Sequence, residues 1–585
     1  SIKMMSSNAI MYRIPFAARR LNGLSLLRAQ SSFSRSKSSM AAVDGSSTEQ
    51  QPSSLTSRPI ASAANSPNPV PDFNDFKAAY ESKSTGELLR ALFCFRVSRV
   101  RFLVNNAENL LRISRSVFGG TLTDFVLRNT LFGHFCAGED EVMIRPVLKS
   151  LDSVGIGSIL DYAAENDGEP ESARVQEFDP APDSIRRVRE YDYESERQCD
   201  KHVETFVKCI NDVQSLGFEK DGYAAIKVTA LGNPKLLARM SQAIMEAHRL
   251  FEQFDIDKDG TVSREDFETA YNLLFFSDGE TAMKDIFDQF DPNHTGNVDY
   301  ISWGMTLSPR DLPKIIANCR EVGPLALATP TEEEVELIEA MYERSRVLAR
   351  EAEKCGTRLL IDAEQVRFQP AIDNLVLDLQ QRYNSKDRSD YPIIYNTYQC
   401  YLKDAKERLN NDVQRAERFD FHFGAKLVRG AYMESERALA ETMGYMSPIQ
   451  DTVEDTHESY NACIDFLLEH STKSDQKVEL MVASHNQRSI ELAIEAMNKY
   501  GIDRESSTIC FAQLFGMTDN LSFNLGKHGY RAYKYVPYGK VHEVMPYLLR
   551  RARENSSIVG GAARELCMIK SELRRRRSGL QPKMA

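Results

Sequence analysis

The chain has 585 residues, with 73 Lys and Arg against 84 Asp and Glu, a net charge of −11. Gripping nucleic acid by its backbone needs a basic face, so this balance argues against a general nucleic-acid binder. Hydrophobic residues at 42% and charged residues at 27% allow a globular core, sized for several domains or for one large barrel with additions. Ten cysteines form no CxxC pair and no cluster with His at ligand spacing. That reads as free thiols in a reducing compartment and speaks against zinc. No apolar run reaches the roughly 20 residues of a membrane span.

Residues 1–43 contain no Asp or Glu and carry Lys3, Arg13, Arg19, Arg20, Arg28, Arg35 and Lys37 among many serines. Arg-rich, Ser-rich and acid-poor is the composition of a mitochondrial transit peptide; a disordered basic tail is the plainer alternative. Residues 44–72, rich in Ser, Ala and Pro, read as a linker. Residues 73–150 carry helical patterns, such as Leu88, Leu89, Leu92 and Phe93. From 151 short apolar runs alternate with longer amphipathic stretches. Eight runs read as strands: 155–163, 224–230, 358–363, 392–397, 425–431, 478–484, 507–513 and 531–536. Helix-length segments separate most of them. In 332–353, Val335, Ile338, Met341 and Leu348 recur at helical spacing, and Thr331 with Glu334 forms a capping box at its start. Eight strand–helix repeats predict an α/β fold, a closed (β/α)₈ barrel with a parallel sheet. An open doubly wound sheet is the alternative, weakened because no GxGxxG follows any strand. The barrel divides into 151–234 and 311–562, with a basic helix or tail at 563–585.

Residues 235–310 interrupt this pattern with an α-helical pair resembling an EF-hand. Asp255, Asp257 and Asp259 occupy positions 1, 3 and 5 of a twelve-residue loop, with Gly260 at the sharp turn. Thr261 offers its carbonyl, and Asp266 takes position 12. Calcium, a hard cation, needs such a ring of oxygens. Asp at position 12 is shorter than the usual Glu, which lowers affinity or shifts it toward magnesium. The second loop, 291–302, ends in Ser302 and has only two carboxylates, so weak or no binding is expected there. Both loops serving only as scaffold is the alternative. The insert follows the strand bearing Lys227, so calcium is expected to modulate activity.

Polar residues gather where the barrel strands end, the catalytic face of this fold. They are Lys227, Asp362, Glu364, Gln399, Lys426, Arg429, His485, Asn486, Gln513 and Tyr535. A helix with Tyr547, Arg550, Arg551 and Glu554 follows. Adjacent arginines on a helix are ordinarily a solvated face. Beside this set they read as a receptor for an amino acid's carboxylate, because guanidinium forks match it.

The segments IDAEQVRFQPAI, KLVRGAYMESER, ASHN, FAQLFGM and YKYVPYGKVHEVMPYLLRRARENSS resemble, in order, the motifs of the proline dehydrogenase family, most of all its eukaryotic mitochondrial form. Coverage runs from about residue 150 to 560, apart from the insert. The resemblance implies FAD held by Gln399, Lys426, Val428, Arg429, Gly430, Ala431, His485, Asn486, Gln513 and Glu554. Bacterial members usually read RLVKGAY, so Lys426 stands where they have Arg. The resemblance also implies a substrate pocket of Lys227, Asp362, Tyr535, Tyr547, Arg550 and Arg551. Of these, Lys227, Asp362, Arg550 and Arg551 carry catalysis, with Lys227 and Asp362 expected to pair. Glu165 is implied to close an ion pair with Arg550 as a gate. The implied reaction takes a hydride from C5 of L-proline to the flavin N5, gives Δ1-pyrroline-5-carboxylate and passes electrons to ubiquinone. The implied location is peripheral, on the matrix side of the inner mitochondrial membrane. Two other readings remain. Hydroxyproline dehydrogenase tends to hold a smaller residue such as Ser at the position of Tyr535. A calcium sensor with an inert barrel belongs to another class.

Overall fold

A computed structural model of the chain describes residues 68–163, 195–215, 222–276, 280–309, 312–313, 319–320, 323–557 and 561–579. They fall into two compact units, one of residues 64–238 with 336–585 and one of residues 239–335. The inserted unit is therefore longer at its C-terminal side than the 235–310 read from its loops.

The first unit is built on eight parallel strands: β1 (Ile156–Tyr162), β2 (Tyr223–Ile226), β5 (Arg358–Ile361), β6 (Ile394–Gln399), β7 (Phe423–Val428), β8 (Val478–Ala483), β9 (Ile509–Leu514) and β10 (Ala532–Tyr538). They close into a barrel in the order β1-β10-β9-β8-β7-β6-β5-β2. Each strand is buried on both faces, which is why it reads as a near-continuous apolar run. The strand expected at 224–230 stops at Ile226, and Val228–Ala230 turn into a 3₁₀ helix. Glu364 causes this turn: its carboxylate accepts from the Thr229 N–H (3.0 Å) and hydroxyl (2.7 Å).

A strand's period of two sends alternate residues into the bore. Ile159, Tyr223, Ala225, Leu360, Tyr395, Met481, Cys510, Ala512 and Tyr533 fill it. Its floor holds a buried ion pair, Arg358 forked onto Glu479 at 3.0 and 3.2 Å, with the Tyr395 hydroxyl also donating to Glu479. The opposite parity faces the surrounding helices. Tyr398, Leu427, Leu480, Val482 and Phe511 pack there with Leu467 and Ile494. Asn68, at the end of the stretch read as a linker, is buried and donates to the Ile502 carbonyl at 2.7 Å. All ten cysteines are free thiols.

The helix Gly561–Gly579 is held by a buried carboxylate. Glu565 accepts from the Thr518 and Asp519 N–H groups (3.0 and 3.2 Å) at the start of the helix Asp519–Lys527. Asp519 is itself paired with Lys534 at 2.8 Å and with Lys83. Burial and the Asp519 charge push the Glu565 carboxyl up to about 7, against the pull of Lys534 and the two N–H groups. The unfolded value is about 4.3. The folded state therefore binds this proton more tightly, and the associated stability is full below about 4.3 and lost as pH rises through about 7. Denaturation of Glu565→Gln is expected to vary less with pH between 5 and 8 than the parent chain. Parallel pH profiles would contradict this.

The second unit repeats a helix–loop–helix twice. The helix Pro234–Phe254, which begins in the first unit, leads into a loop, β3 (Thr261–Ser263) and the helix Arg264–Leu274. The helix Glu280–Phe290 leads into a second loop, β4 (Asn297–Asp299) and the helix Tyr300–Thr306. β3 and β4 pair antiparallel with Val262 opposite Val298. The loops share one hydrogen-bond scheme. Asp255 accepts from the Asp259 and Gly260 N–H groups, and Asp291 from those of Thr295 and Gly296. Phe254, Phe267, Phe290 and Trp303 fill the core between them.

Candidate active site

The strand parity that fills the bore also selects what lines its mouth. Asp362 lies at the centre. One carboxylate oxygen accepts from Lys426 Nζ at 2.5 Å, the other from the Tyr535 hydroxyl at 2.9 Å. Lys426 Nζ also sits 5.6 Å from the centre of the Tyr535 ring. Burial alone would raise the Asp362 carboxyl. The Lys426 and Lys227 charges and the two hydrogen bonds outweigh it and hold the group below its usual range. Asp362 is thus a fixed anion at neutral pH, joining β5, β7 and β10. The Tyr535 phenol is pushed well up by burial and by the charges of Asp161 and Asp362, so it stays protonated. Lys227 is half-buried at the end of β2, in extended backbone. Lys426 contacts Asp362 directly, and the charge of Lys227 acts on the same carboxylate.

His485 follows β8. Its Nε2 accepts from the Leu514 N–H at 3.1 Å. Burial and the cations Lys534, Arg551 and Arg429 push it down to about 3. A neutral ring accepting through Nε2 carries its hydrogen on Nδ1, which is therefore a donor.

The helix Met545–Ser557 packs over the barrel ends. Tyr547 and Leu548 are buried with Cys136, Ala163 and Val544. Arg551 is 7% exposed, lies 5.0 Å from the centre of the Tyr547 ring and pairs with Glu554 at 2.6 Å. Tyr547 packs with Ala163, just after β1, and Leu514, the last residue of β9, which brings this helix to the mouth. The Tyr547 hydroxyl is buried without a hydrogen-bond partner among the described residues.

Other expected site residues make contacts of their own. Arg429 is on the outward parity. Its guanidinium donates to His457 (3.0 Å), Ser484 (2.7 Å) and Ser489 (2.7 Å). Gln513 is outward as well, donating to the Ser484 carbonyl and accepting from Ser522. Asn486 caps the helix Gln487–Tyr500. The period of two turns Arg429 and Gln513 away from the bore, and these contacts hold all three side chains at the strand ends. Glu554 serves Arg551. Arg550 is half-buried, 5.9 Å from the Tyr547 ring centre. Glu165 lies outside the described residues.

Gln399 is buried on the inward parity and donates to the Glu364 carbonyl at 2.8 Å. Val428, Gly430 and Ala431 follow as β7 ends. Gly430 has φ +136°, and a Cβ there would lie 2.4 Å from the Tyr401 ring, so only glycine fits. Sequence reasoning missed Asp161, buried on β1, whose charge acts on Tyr535 and Tyr547. Its place at the end of a predicted strand was the available signal.

In the inserted unit, Asp255, Asp257 and Asp259 bring carboxylate oxygens within 4.8 Å of one another. Asp266, at position 12, is engaged separately. Its carboxylate accepts from the Ser263 hydroxyl at 2.8 Å, and its side chain is one methylene shorter than Glu.

A family profile described as proline dehydrogenase matches residues 148–564. The chain is similar to mitochondrial proline dehydrogenase 1 of Homo sapiens, 37% identical over 556 residues covering 88% of this chain and 91% of that protein. It is similar to hydroxyproline dehydrogenase of Rattus norvegicus, 30% identical over 502 residues covering 86% and 93%. Among solved structures, proline utilization A of Bdellovibrio bacteriovorus shares the fold, with a TM-score of 0.51, 16% identity, and coverage of 87% of this chain and 41% of that one.

Proposed function

Because the chain belongs to the proline dehydrogenase family of oxidoreductases, we propose that it oxidises L-proline to Δ1-pyrroline-5-carboxylate with FAD as cofactor. The observation that carries this reading is a buried guanidinium, Arg551, stacked near Tyr547 on the helix that packs over the mouth, where Asp362, Lys426 and Tyr535 form a fixed network. The donor set suits a flavin. Lys426 offers a cation, His485 Nδ1 and Gln399 offer polar contacts, and the backbone at Val428, Gly430 and Ala431 allows close approach. FAD held there would supply a two-electron acceptor for the hydride leaving proline C5, and a membrane quinone would be the oxidant that restores it. The chain's own residues bind and orient. Arg551, with Arg550 beside it, fixes the substrate carboxylate. Tyr547 and Tyr535 pack against the pyrrolidine ring and exclude water. Asp362 anchors Lys426 and Tyr535; ionised and fully engaged, it is a positioning anion and not a base. Glu165 closing on Arg550 remains the proposed gate.

The test is a flavin spectrum of the purified chain. Bleaching by L-proline without oxygen is expected, faster than with trans-4-hydroxy-L-proline. A chain that binds no flavin, or one bleached faster by the hydroxylated substrate, overturns this assignment. Tyr535 is the proposed selectivity residue. Tyr535→Ser is expected to shift the ratio of kcat/KM toward hydroxyproline by about tenfold. An unchanged ratio would remove that role.

We assign the enzyme to the matrix side of the inner mitochondrial membrane, supported by the acid-free basic leader and by the relatives named mitochondrial. Among the described residues no helix is long and apolar enough to cross a membrane. The inserted unit is read as EF-hand-like, with one cation loop. Burial, and after it the charges of Asp259 and Asp257, raise the Asp255 carboxyl, and three converging carboxylates are the oxygen set a divalent ion would take. Calcium titration is expected to give one site per chain, lost in Asp257→Ala. No binding would leave the unit as scaffold, and equal turnover in calcium and in chelator would remove a regulatory role.

A further inference from the structure

Two helices near the start of the described chain bury almost nothing on one side. Ala107–Phe118 has no fully buried residue. Ile113 (59% exposed) and Val117 (66%) stand one turn apart on it, and Phe118 (64%) ends it. Gly119 and Gly120 turn the chain into Gly120–Asn129, where Leu122 (51%), Phe125 (61%) and Val126 (51%) stand at helical spacing. Exposed apolar side chains scattered singly need no explanation, whereas six on one hairpin do. The opposite side of the hairpin is packed. Leu111 and Leu127 join Tyr547 and Leu548 in one cluster, and Glu108 pairs with Arg553 at 2.8 Å. The hairpin therefore sits directly on the helix that carries Arg551.

The hairpin itself holds Arg112, Arg115 and Arg128 against Glu108 and Asp124. Arg115 is paired to Asp124 and Arg128 to Glu139, and the larger arginine excess lies on the helices just before it. Residues 85–129 hold seven arginines against Glu87, Glu108 and Asp124, in a chain that is net acidic. Arg96, Arg99 and Arg112 are exposed and make no ion pair among the described residues. An amphipathic surface with an apolar face, flanking arginines and Phe at its tip is the composition that lies in a lipid interface. Polybasic flanks favour anionic headgroups. The helices, of 12 and 10 residues, are too short to span a bilayer but long enough to lie in one leaflet.

We propose that the hairpin of residues 107–129 is a docking face for an anionic bilayer surface. It deepens the functional reading above, on which its meaning rests: docking there brings the helix roofing the barrel mouth to the membrane, where a lipid-soluble electron acceptor is dissolved. A second copy of the chain is the competing occupant, but the basic flanks would repel their own image across a two-fold contact.

The test is flotation of the full chain with phosphatidylcholine vesicles, with and without cardiolipin. The parent chain is expected to float with the cardiolipin vesicles. The triple variant Val117→Ser/Phe118→Ser/Phe125→Ser is expected to lose at least about tenfold in partitioning. Its turnover of L-proline with a water-soluble dye should be unchanged. Arg96→Ser/Arg112→Ser should weaken flotation and reduce the preference for cardiolipin. As an independent readout, emission from Phe125→Trp should shift to the blue on adding vesicles. No flotation of the parent chain, equal flotation of parent and triple variant, or an unshifted Trp spectrum overturns the proposal. A monomer–dimer equilibrium abolished by the triple variant, without flotation, assigns the face to a second copy and equally overturns it. Flotation without proline turnover leaves the docking face standing and sinks the functional reading instead.

Discussion

Arg551→Ala is expected to lower kcat/KM for L-proline by about two orders of magnitude while leaving flavin bound. The guanidinium is almost fully buried and has a carboxylate neighbour in Glu554, so it is already desolvated and held before substrate arrives. Truncating one partner of a buried, hydrogen-bonded charge pair costs about 2–5 kcal/mol, and each 1.4 kcal/mol is about tenfold. Arg551→Lys keeps the charge but loses the planar fork, so it should recover only part of the loss. A lesion confined to folding would lower the amount of active enzyme and leave KM alone. A lesion in carboxylate binding raises KM, which separates the two.

Asp362→Ala should destabilise the protein by about 3–5 kcal/mol, because it strands a buried ammonium. The Lys426 side chain is only 7% exposed and the Asp362 side chain 15%, so water screens neither well. Lys227 adds a second positive charge to the same space. The loss should depend on pH in a defined direction. The folded carboxyl lies below its unfolded value of about 3.9, so its contribution is full above that value and disappears as pH falls through the lowered one. The gap between parent and variant, followed by chemical denaturation, should be constant from pH 5 to 8 and close in stronger acid. A gap that closes toward alkaline pH would show that the pair does not behave as described.

What could be read from the sequence, and what could not, divides along physical lines. The eight strands and their closure into a barrel were legible because runs of about six residues buried on both faces leave a strong apolar trace. The Thr331–Glu334 capping box was legible because its partners are three residues apart, and both of its hydrogen bonds form. Strand-end chemistry was legible by residue type but not by direction. Lys426 and Arg429 stand three apart, so opposite parity sends one into the bore and the other into the wall. A one-residue error in a strand's phase inverts that assignment. Asp161 was hidden because one acid in an apolar strand looks incidental until β10 brings Tyr535 beside it. Glu565 was hidden for a different reason. It caps a helix that begins 46 residues earlier, and no local pattern encodes a contact made through space. The exposed side of the 107–129 hairpin was also illegible, since helical apolar spacing looks the same whether a core or a membrane covers it.

The proposition that Arg551 exists to hold a carboxylate can be tested by deleting each half of the contact in turn. Turnover of L-proline and of pyrrolidine, the same ring without its acid group, would be compared in the parent chain and in Arg551→Ala. The expected result is a strong preference for L-proline in the parent that collapses by about two orders of magnitude in the variant. The same preference in both proteins would mean that this guanidinium does not meet the substrate.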